Sequence, residues 1–158
     1  MNNINIEQIT YDDETETAYI YFTEPNKFAF YSEILPENEQ IIIDLGKEVP
    51  IVGVELDGES AKKVAKLMNE QRRFVKKINQ QGYDYYSFKI EDKPVQQSIS
   101  YERIIDVKFL FADDECTDFI GIDVYSDNPN YIFIQSFEND YPSKGMLKKI
   151  LGGWRLSK

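Results

Sequence analysis

The first sixty residues alternate between apolar and polar positions. Ala18, Ile20 and Phe22 fall on one side of an extended chain, and Tyr19 and Tyr21 fall on the other. A period of two is typical of a strand with one buried face, and the acidic turn before it predicts a hairpin with the residues from 9 to 11. Further apolar runs follow turn-rich stretches, at residues 28–35, 40–45 and 51–56. We therefore predict a five-stranded antiparallel meander.

The period changes after residue 58. Apolar residues between Glu59 and Gln81 recur at helical spacing, namely Val64, Leu67, Met68, Val75 and Ile78. Asp57 is suited to the N-cap of such a helix and Gly82 to its C-terminal stop. The spacing predicts a long helix in the middle of the chain.

Strand-like runs return in the second half, at residues 85–90, 95–101, 104–111, 119–125 and 131–137, and residues 143–151 resemble a short closing helix. We predict an α+β fold with antiparallel β-meanders of about ten strands, one long central helix and a short C-terminal helix.

The order of elements suggests two similar halves. Residues 41–43 and 51–56 match residues 109–111 and 119–124 without a gap. This favours a division into residues 1–82, a β-meander plus helix, and residues 83–158, a second β-rich half plus a short helix. The match indicates either a degenerate duplication or two ordinary hairpins with acidic turns. The halves are long enough to share one core.

Charge follows the predicted elements. The chain has 28 acids and 18 bases, a net charge of −10. Residues 1–58 hold 13 acids and 2 bases, 59–82 hold 2 and 7, 83–141 hold 13 and 4, and 142–158 hold none and 5. Each predicted sheet is therefore acidic and each predicted helix basic. One interpretation is mutual neutralisation on solvated surfaces.

The other interpretation is an acidic recognition surface that attracts a positively charged partner. The candidate partner-binding residues lie in two predicted turns: Asp12, Asp13, Glu14, Glu16, Asp113, Asp114, Glu115 and Asp118. Direct binding of nucleic acid is disfavoured at a sequence pI of about 4.5, because the acidic remainder repels the phosphate backbone. Anionic membranes meet the same objection.

Familiar catalytic residues are missing from the sequence. It contains no histidine and one cysteine, Cys116, which excludes imidazole-based triads, zinc sites rich in cysteine and internal disulfides. No phosphate-binding or nucleophile-elbow motif occurs. We therefore predict no catalytic residue, no metal and no cofactor, and a protein that is not an enzyme. The N-terminus has no signal-peptide pattern and no apolar run is long enough to span a bilayer, which favours the cytoplasm.

Part of the chain carries a recognisable pattern. Its residues are Ile9, Tyr11, Asp12, Glu14, Ala18, Tyr19, Ile20, Phe22, Ile41, Ile43, Asp44 and residues 51–56. Over residues 9–57 the sequence thereby resembles the small bacterial family called domain of unknown function 2283. Members usually carry Asp at the position of Glu16 and end soon after the strand at 52–56. The resemblance implies a compact β-meander with a C-terminal helix, found in short bacterial and phage proteins and sometimes beside toxin-like genes. It implies no active site.

These observations lead to one functional hypothesis and two rivals. The leading hypothesis is a bacterial or phage-encoded inhibitory binding protein, of the antitoxin or immunity type. It would neutralise a basic protein through an acidic surface, and a protein that acts on nucleic acid is one candidate for that partner. The first rival is a structural protein that assembles into homo-oligomers through its aromatic residues and edge strands. The second is a metal-assisted enzyme that uses carboxylates.

Overall fold

The computed structural model describes residues 7–134, which form ten strands in two antiparallel five-stranded sheets. The helix predicted at 143–151 lies outside the described residues. The first sheet contains β1 (Ile9–Asp12), β2 (Thr17–Tyr21), β3 (Phe30–Ile34), β4 (Ile41–Gly46) and β5 (Ile51–Leu56). The second contains β6 (Val75–Ile78), β7 (Asp84–Lys89), β8 (Gln97–Tyr101), β9 (Ile104–Phe111) and β10 (Phe119–Val124).

Neither sheet is a simple meander. The first sheet has the order β1-β2-β5-β4-β3, so β5 returns to lie between β2 and β4. Ala18 of β2 and Ile41 of β4 both lie opposite Leu56 of β5. β5 therefore has a partner on each side, and β1 and β3 form the two edges of the sheet.

The second sheet repeats this topology, with the order β6-β7-β10-β9-β8. The registers also correspond, because Gly53 lies opposite Tyr21 and Gly121 lies opposite Lys89. One detail differs from the gapless match, which aligned residue 43 with residue 111. Ile43 faces Val54 and Phe109 faces Ile122, so β9 corresponds to β4 after a shift of two residues. The shared topology and register support duplication, which stays a prediction.

The predicted α+β class with a long central helix is wrong. The longest described helix is α1 (Gly58–Ala65), with 8 residues, and a 3-10 turn at Asn69–Gln71 follows it. The chain then enters β6, so the described residues are mostly strand. Asp57 does occupy the N-cap of α1, but its side chain makes no capping hydrogen bond. Gly82 lies between β6 and β7 with a φ of 89° rather than ending a helix.

Burial explains why the helical pattern fails after residue 68. Val75 and Ile78 were the last apolar residues of the predicted central helix, yet their side chains are 44% and 68% exposed. The residue that anchors this segment is Phe74, which is buried. Pairing with β7 gives the backbone from Val75 to Ile78 hydrogen-bond partners on one side, and β-branched residues suit an edge strand.

The segment predicted as a strand at 131–137 is helical at residues 132–134, the last three residues described. Its aromatic side chains fill the middle of the molecule. Phe22 meets Phe74, Tyr131 and Phe133 edge to face, and Phe133 stacks on Phe74 with ring centroids 4.2 Å apart. The buried residues of both sheets belong to one hydrophobic cluster.

The helix α1 connects the two sheets. Its residues Ala61 and Val64 are buried in the shared cluster. Lys63, on a different side of the helix, pairs with Glu91 and Asp118 of the second half and donates to the Phe119 carbonyl at 2.9 Å. Within residues 7–134, no helix is long and apolar enough to cross a membrane.

Candidate partner-binding surface

The first predicted acidic cluster forms the turn between β1 and β2. Asp12, Asp13, Glu14 and Glu16 are exposed there. The Asp12 carboxylate accepts a hydrogen bond from the Glu14 backbone at 2.9 Å, and Glu16 adopts a left-handed φ of 57°. No basic side chain of the described part of the chain forms an ion pair with these four residues.

The second predicted cluster lies in the loop between β9 and β10, where two acids have structural partners. Asp113 accepts hydrogen bonds from the Thr117 side chain and from the Thr117 and Asp118 backbone amides, which hold its pKa below the usual range. Lys63 and Lys93 bind Asp118 and lower its pKa as well. Asp114 and Glu115 remain exposed.

This loop also contains the single cysteine. Cys116 is buried, and burial together with the charges of nearby acids raises the pKa of its thiol. A thiol of this kind is a poor nucleophile. Across residues 7–134, no hydrogen bond or ion pair joins the two acidic clusters, so the structure does not combine them into one site.

A polar cluster that the sequence did not single out lies on the outer face of the first sheet. Asp44 of β4 is only 5% exposed. Its two carboxylate oxygens each accept a hydrogen bond of 2.6 Å, one from the Tyr19 hydroxyl and one from the Ser32 hydroxyl. Burial and these contacts with Asp44 raise the pKa of Tyr19, so that its phenol keeps its proton.

A glycine makes room for this arrangement. β5 lies between the strands of Tyr19 and Asp44, so the tyrosine ring must cross it. Gly53 sits beneath the ring, and a Cβ added there would lie 2.2 Å from the Tyr19 hydroxyl oxygen. No side chain larger than hydrogen fits at position 53 while the bond between Tyr19 and Asp44 persists.

Further carboxylates surround this cluster. Glu55 lies opposite Tyr19, and Asp57 follows at the end of β5. Burial raises the pKa of Glu55, and the charges of Asp57 and Asp44 and a hydrogen bond with Asp57 raise it further. The described residues supply no Lys or Arg within ion-pair distance of these three acids. Crowded carboxylates without a cation favour the approach of a positive group.

Exposed apolar side chains border the acids. Phe30 and Ile34 are 53% and 55% exposed. They alternate with Ser32 along β3, so they share the outer face with Asp44. Tyr21 lies beside Tyr19, with ring centroids 4.6 Å apart. We call this surface the outer acidic face: Tyr19, Tyr21, Phe30, Ser32, Ile34, Asp44, Glu55 and Asp57.

The sequence carried signals for part of this face. The alternation in β2 already placed Tyr19 and Tyr21 opposite the core residues, and Asp44 interrupts an apolar strand. The hydrogen bond between Tyr19 and Asp44 could not be predicted from the sequence, because it depends on β5 lying between β2 and β4. The matched family pattern includes Tyr19, Asp44, Gly53 and Glu55, which are surface-cluster residues rather than strand-core positions.

No group of three or more cysteine, aspartate or glutamate side chains within residues 7–134 is arranged to hold a metal ion.

Two five-stranded antiparallel sheets that contribute to one hydrophobic cluster place the described residues in the class of mostly β proteins. The chain belongs to the family described as protein of unknown function (DUF2283), which matches residues 8–60 and confirms the predicted resemblance. It is also similar to the uncharacterized protein YuzE of Bacillus subtilis (strain 168), with 30% identity over 129 residues, covering 80% of this chain and 94% of that protein. No solved structure matches the chain.

Proposed function

We propose that this protein is an inhibitory binding protein of the antitoxin or immunity type, and that it neutralises a basic protein partner through the outer acidic face. The exposed β1–β2 turn extends the acidic surface at one end of β2. A partner that acts on nucleic acid fits this proposal, because an inhibitor of such a protein must replace phosphate charges. The proposal assigns no catalysis to the chain.

The observation that carries the proposal is the gathering of Asp44, Glu55 and Asp57 without a cation from the described residues. Burial, together with the charges of Asp57 and Asp44, raises the pKa of Glu55. A Lys or Arg side chain from a partner would offset this repulsion and lower the pKa of Glu55. Electrostatic complementarity of this kind speeds association and excludes partners of the wrong charge.

The apolar border supplies the second requirement of a protein interface. Charged groups alone give specificity and fast association, whereas aromatic and aliphatic anchors give most of the affinity. Phe30 and Ile34 are exposed on the same face as Asp44. We assign them the role of anchors that become buried when the partner binds.

The test is co-purification with the product of the neighbouring gene, expressed together with this chain. The face variant combines Glu55→Lys with Phe30→Ala. The control variant combines Asp92→Lys with Ile105→Ala, since both control residues are exposed and belong to the second half. We expect a wild-type complex that dissociates as salt rises, little binding by the face variant and full binding by the control.

If the face variant and the control variant retain the same amount of partner, the outer acidic face is not the binding surface. Charge reversal at Asp12, Asp13 and Glu14 gives a second test, because the only side-chain contact found for these acids in the described residues is the hydrogen bond of Asp12 within its own turn. Reversal at Asp113 is less informative, since its carboxylate holds the β9–β10 loop together.

Edge strand β3 favours a second candidate, a homo-oligomeric assembly protein. All five residues of β3 are exposed, and the strand has a partner only in β4 among the described strands. An open edge with exposed aromatic residues can pair with the same edge of another copy. Light scattering over a range of concentrations distinguishes the candidates, because a stable oligomer supports assembly and a monomer refutes it.

A further inference from the structure

The second sheet carries a groove with a different character from the outer acidic face. It has a volume of about 280 Å³ and lies between the 3-10 turn, β6 and β7. The polar and charged side chains that line the groove are Glu70, Gln71, Arg73, Lys77, Ser87 and Lys89. Three of these are cations and one is a carboxylate.

The register of β6 and β7 explains why the cations meet. Val75 lies opposite Ser87, which places both on the outer side of the sheet. Arg73 and Lys77 are two residues away from Val75, and Lys89 is two residues from Ser87. Side chains at such spacing share one face of the sheet. Lys76 has the opposite orientation and pairs with Asp84 instead.

The three cations of the groove form no ion pair with a described residue. Lys62, Lys63, Lys76 and Lys93 each pair with a carboxylate. For Arg73, Lys77 and Lys89, no carboxylate oxygen of the described residues lies within ion-pair distance. An acidic protein that leaves three cations unpaired in one groove provides a local positive field.

Asp123 of β10 lies opposite Ser87 and accepts a hydrogen bond from its side chain. Burial raises the pKa of Asp123, although Ser87, Lys89 and Lys77 partly oppose the rise. Asp123 is therefore close enough to Lys77 and Lys89 to interact with them electrostatically, although it forms no ion pair with either.

Comparison of the two halves gives an independent argument. Lys77 lies opposite Tyr85 at the position where Asp12 lies opposite Thr17, and Lys89 faces Gly121 as Tyr21 faces Gly53. The same sheet positions that carry an acid and a tyrosine in the first half therefore carry lysines in the second. The two outer faces are suited to ligands of opposite charge.

We propose that the groove binds the phosphate group of a small phosphorylated molecule. A guanidinium fork and two ammonium groups match the several oxygens and the double negative charge of a phosphate. A small molecule is favoured over nucleic acid, because the net charge of −10 repels a long polyanion. The groove is separate from the outer acidic face, so this proposal does not depend on the proposed inhibitor function.

Nuclear magnetic resonance of the full chain, with pyrophosphate as the probe at low ionic strength, tests the proposal. We expect saturable shifts of the backbone amides from residue 71 to 77 and from residue 87 to 89. Lys77→Gln and Lys89→Gln should each weaken binding about tenfold, the loss of one charge-assisted contact. Lys47→Gln and Lys66→Gln, exposed lysines outside the groove, should leave the affinity unchanged.

Shifts that do not saturate, or that spread equally to Lys47 and Lys66, would overturn the proposal. A parallel titration with a single-stranded oligonucleotide distinguishes the sources of phosphate. Tighter binding of the oligonucleotide than of pyrophosphate, lost in the same two groove variants, would replace the small-molecule proposal with a nucleic-acid site.

Discussion

Asp44 is a buried carboxylate on the outer side of a sheet. Its two hydrogen-bond donors offset the energetic cost of burying it. Tyr19 and Ser32 each donate at 2.6 Å. Hydrogen bonds to charged groups contribute more than neutral ones, and a buried charge that loses a donor is costly. In the second half, Leu110 and Ser87 take the positions of Asp44 and Tyr19, so this network is particular to the first sheet.

Tyr19→Phe tests the network with the removal of one oxygen atom. We expect a loss of about 1 to 3 kcal/mol in the free energy of unfolding, because one oxygen of Asp44 loses its partner. Urea denaturation gives the measurement. Tyr21→Phe is the matched control, since no hydrogen bond of its hydroxyl is found in the described residues, and it should change stability little. Equal effects of the two substitutions would contradict a special role for Tyr19.

The elements differed in how far the sequence could define them. Alternation predicted β2, which has one buried side, whereas continuous apolar runs predicted β5 and β10, in which nearly every residue is buried. β6 was missed because Val75 and Ile78 continue the helical spacing of Val64, and only tertiary pairing with β7 overrides that pattern. Phe74 was the residue that could have revealed it, as an aromatic residue immediately before the β-branched Val75.

The outer acidic face was predictable only in part, for a related reason. Periodicity shows which residues leave the core, and it placed Tyr19 and Tyr21 outside. It does not show which strands are neighbours, and the order β2-β5-β4 decides that Tyr19 reaches Asp44 across Gly53. The acidic turns were prominent in the sequence. Local spacing did not show that Asp113 accepts hydrogen bonds within its own loop, or that Asp118 pairs with Lys63 of α1.

The attachment of α1 to the second half depends on Lys63, which pairs with Glu91 and Asp118. The pKa of Asp118 is lowered by Lys63 and Lys93. Burial would raise the pKa of Glu91, but the same two lysines outweigh it and lower that pKa too. A lowered pKa in the folded state stabilises the protein above the pKa of the unfolded carboxyl, and this contribution is lost as the pH falls.

Lys63→Met should therefore destabilise the protein at neutral pH, by about 1 to 2 kcal/mol for a half-buried pair. The difference from wild type should shrink between about pH 5 and about pH 2, as both carboxyls become protonated. Denaturation at a series of pH values measures it. Lys62→Met is the control, because its pair with Glu59 is exposed on the same helix. A difference that stays constant with pH would exclude the ion pairs as its cause.

At the scale of the whole molecule, the two similar sheets contribute to one hydrophobic cluster. Phe22, at the end of β2, contacts Phe74 before β6 and both Tyr131 and Phe133 after β10. The Ile132 backbone amide also donates to the Phe22 carbonyl at 2.7 Å. The chain thus returns to the first sheet after completing the second, and we predict that both sheets unfold together.

Phe22→Ala tests this cooperativity, because it removes the ring at the junction while leaving both sets of strand pairings in place. We expect a loss of about 3 to 5 kcal/mol, the usual cost of deleting a buried phenylalanine. Hydrogen exchange should become faster by the same factor in β5 and in β10, the central strands of the two sheets. Phe30→Ala, at an exposed position, should leave both rates unchanged. Faster exchange in β5 alone would mean that the halves unfold independently, and that the aromatic junction joins two units that are stable without it.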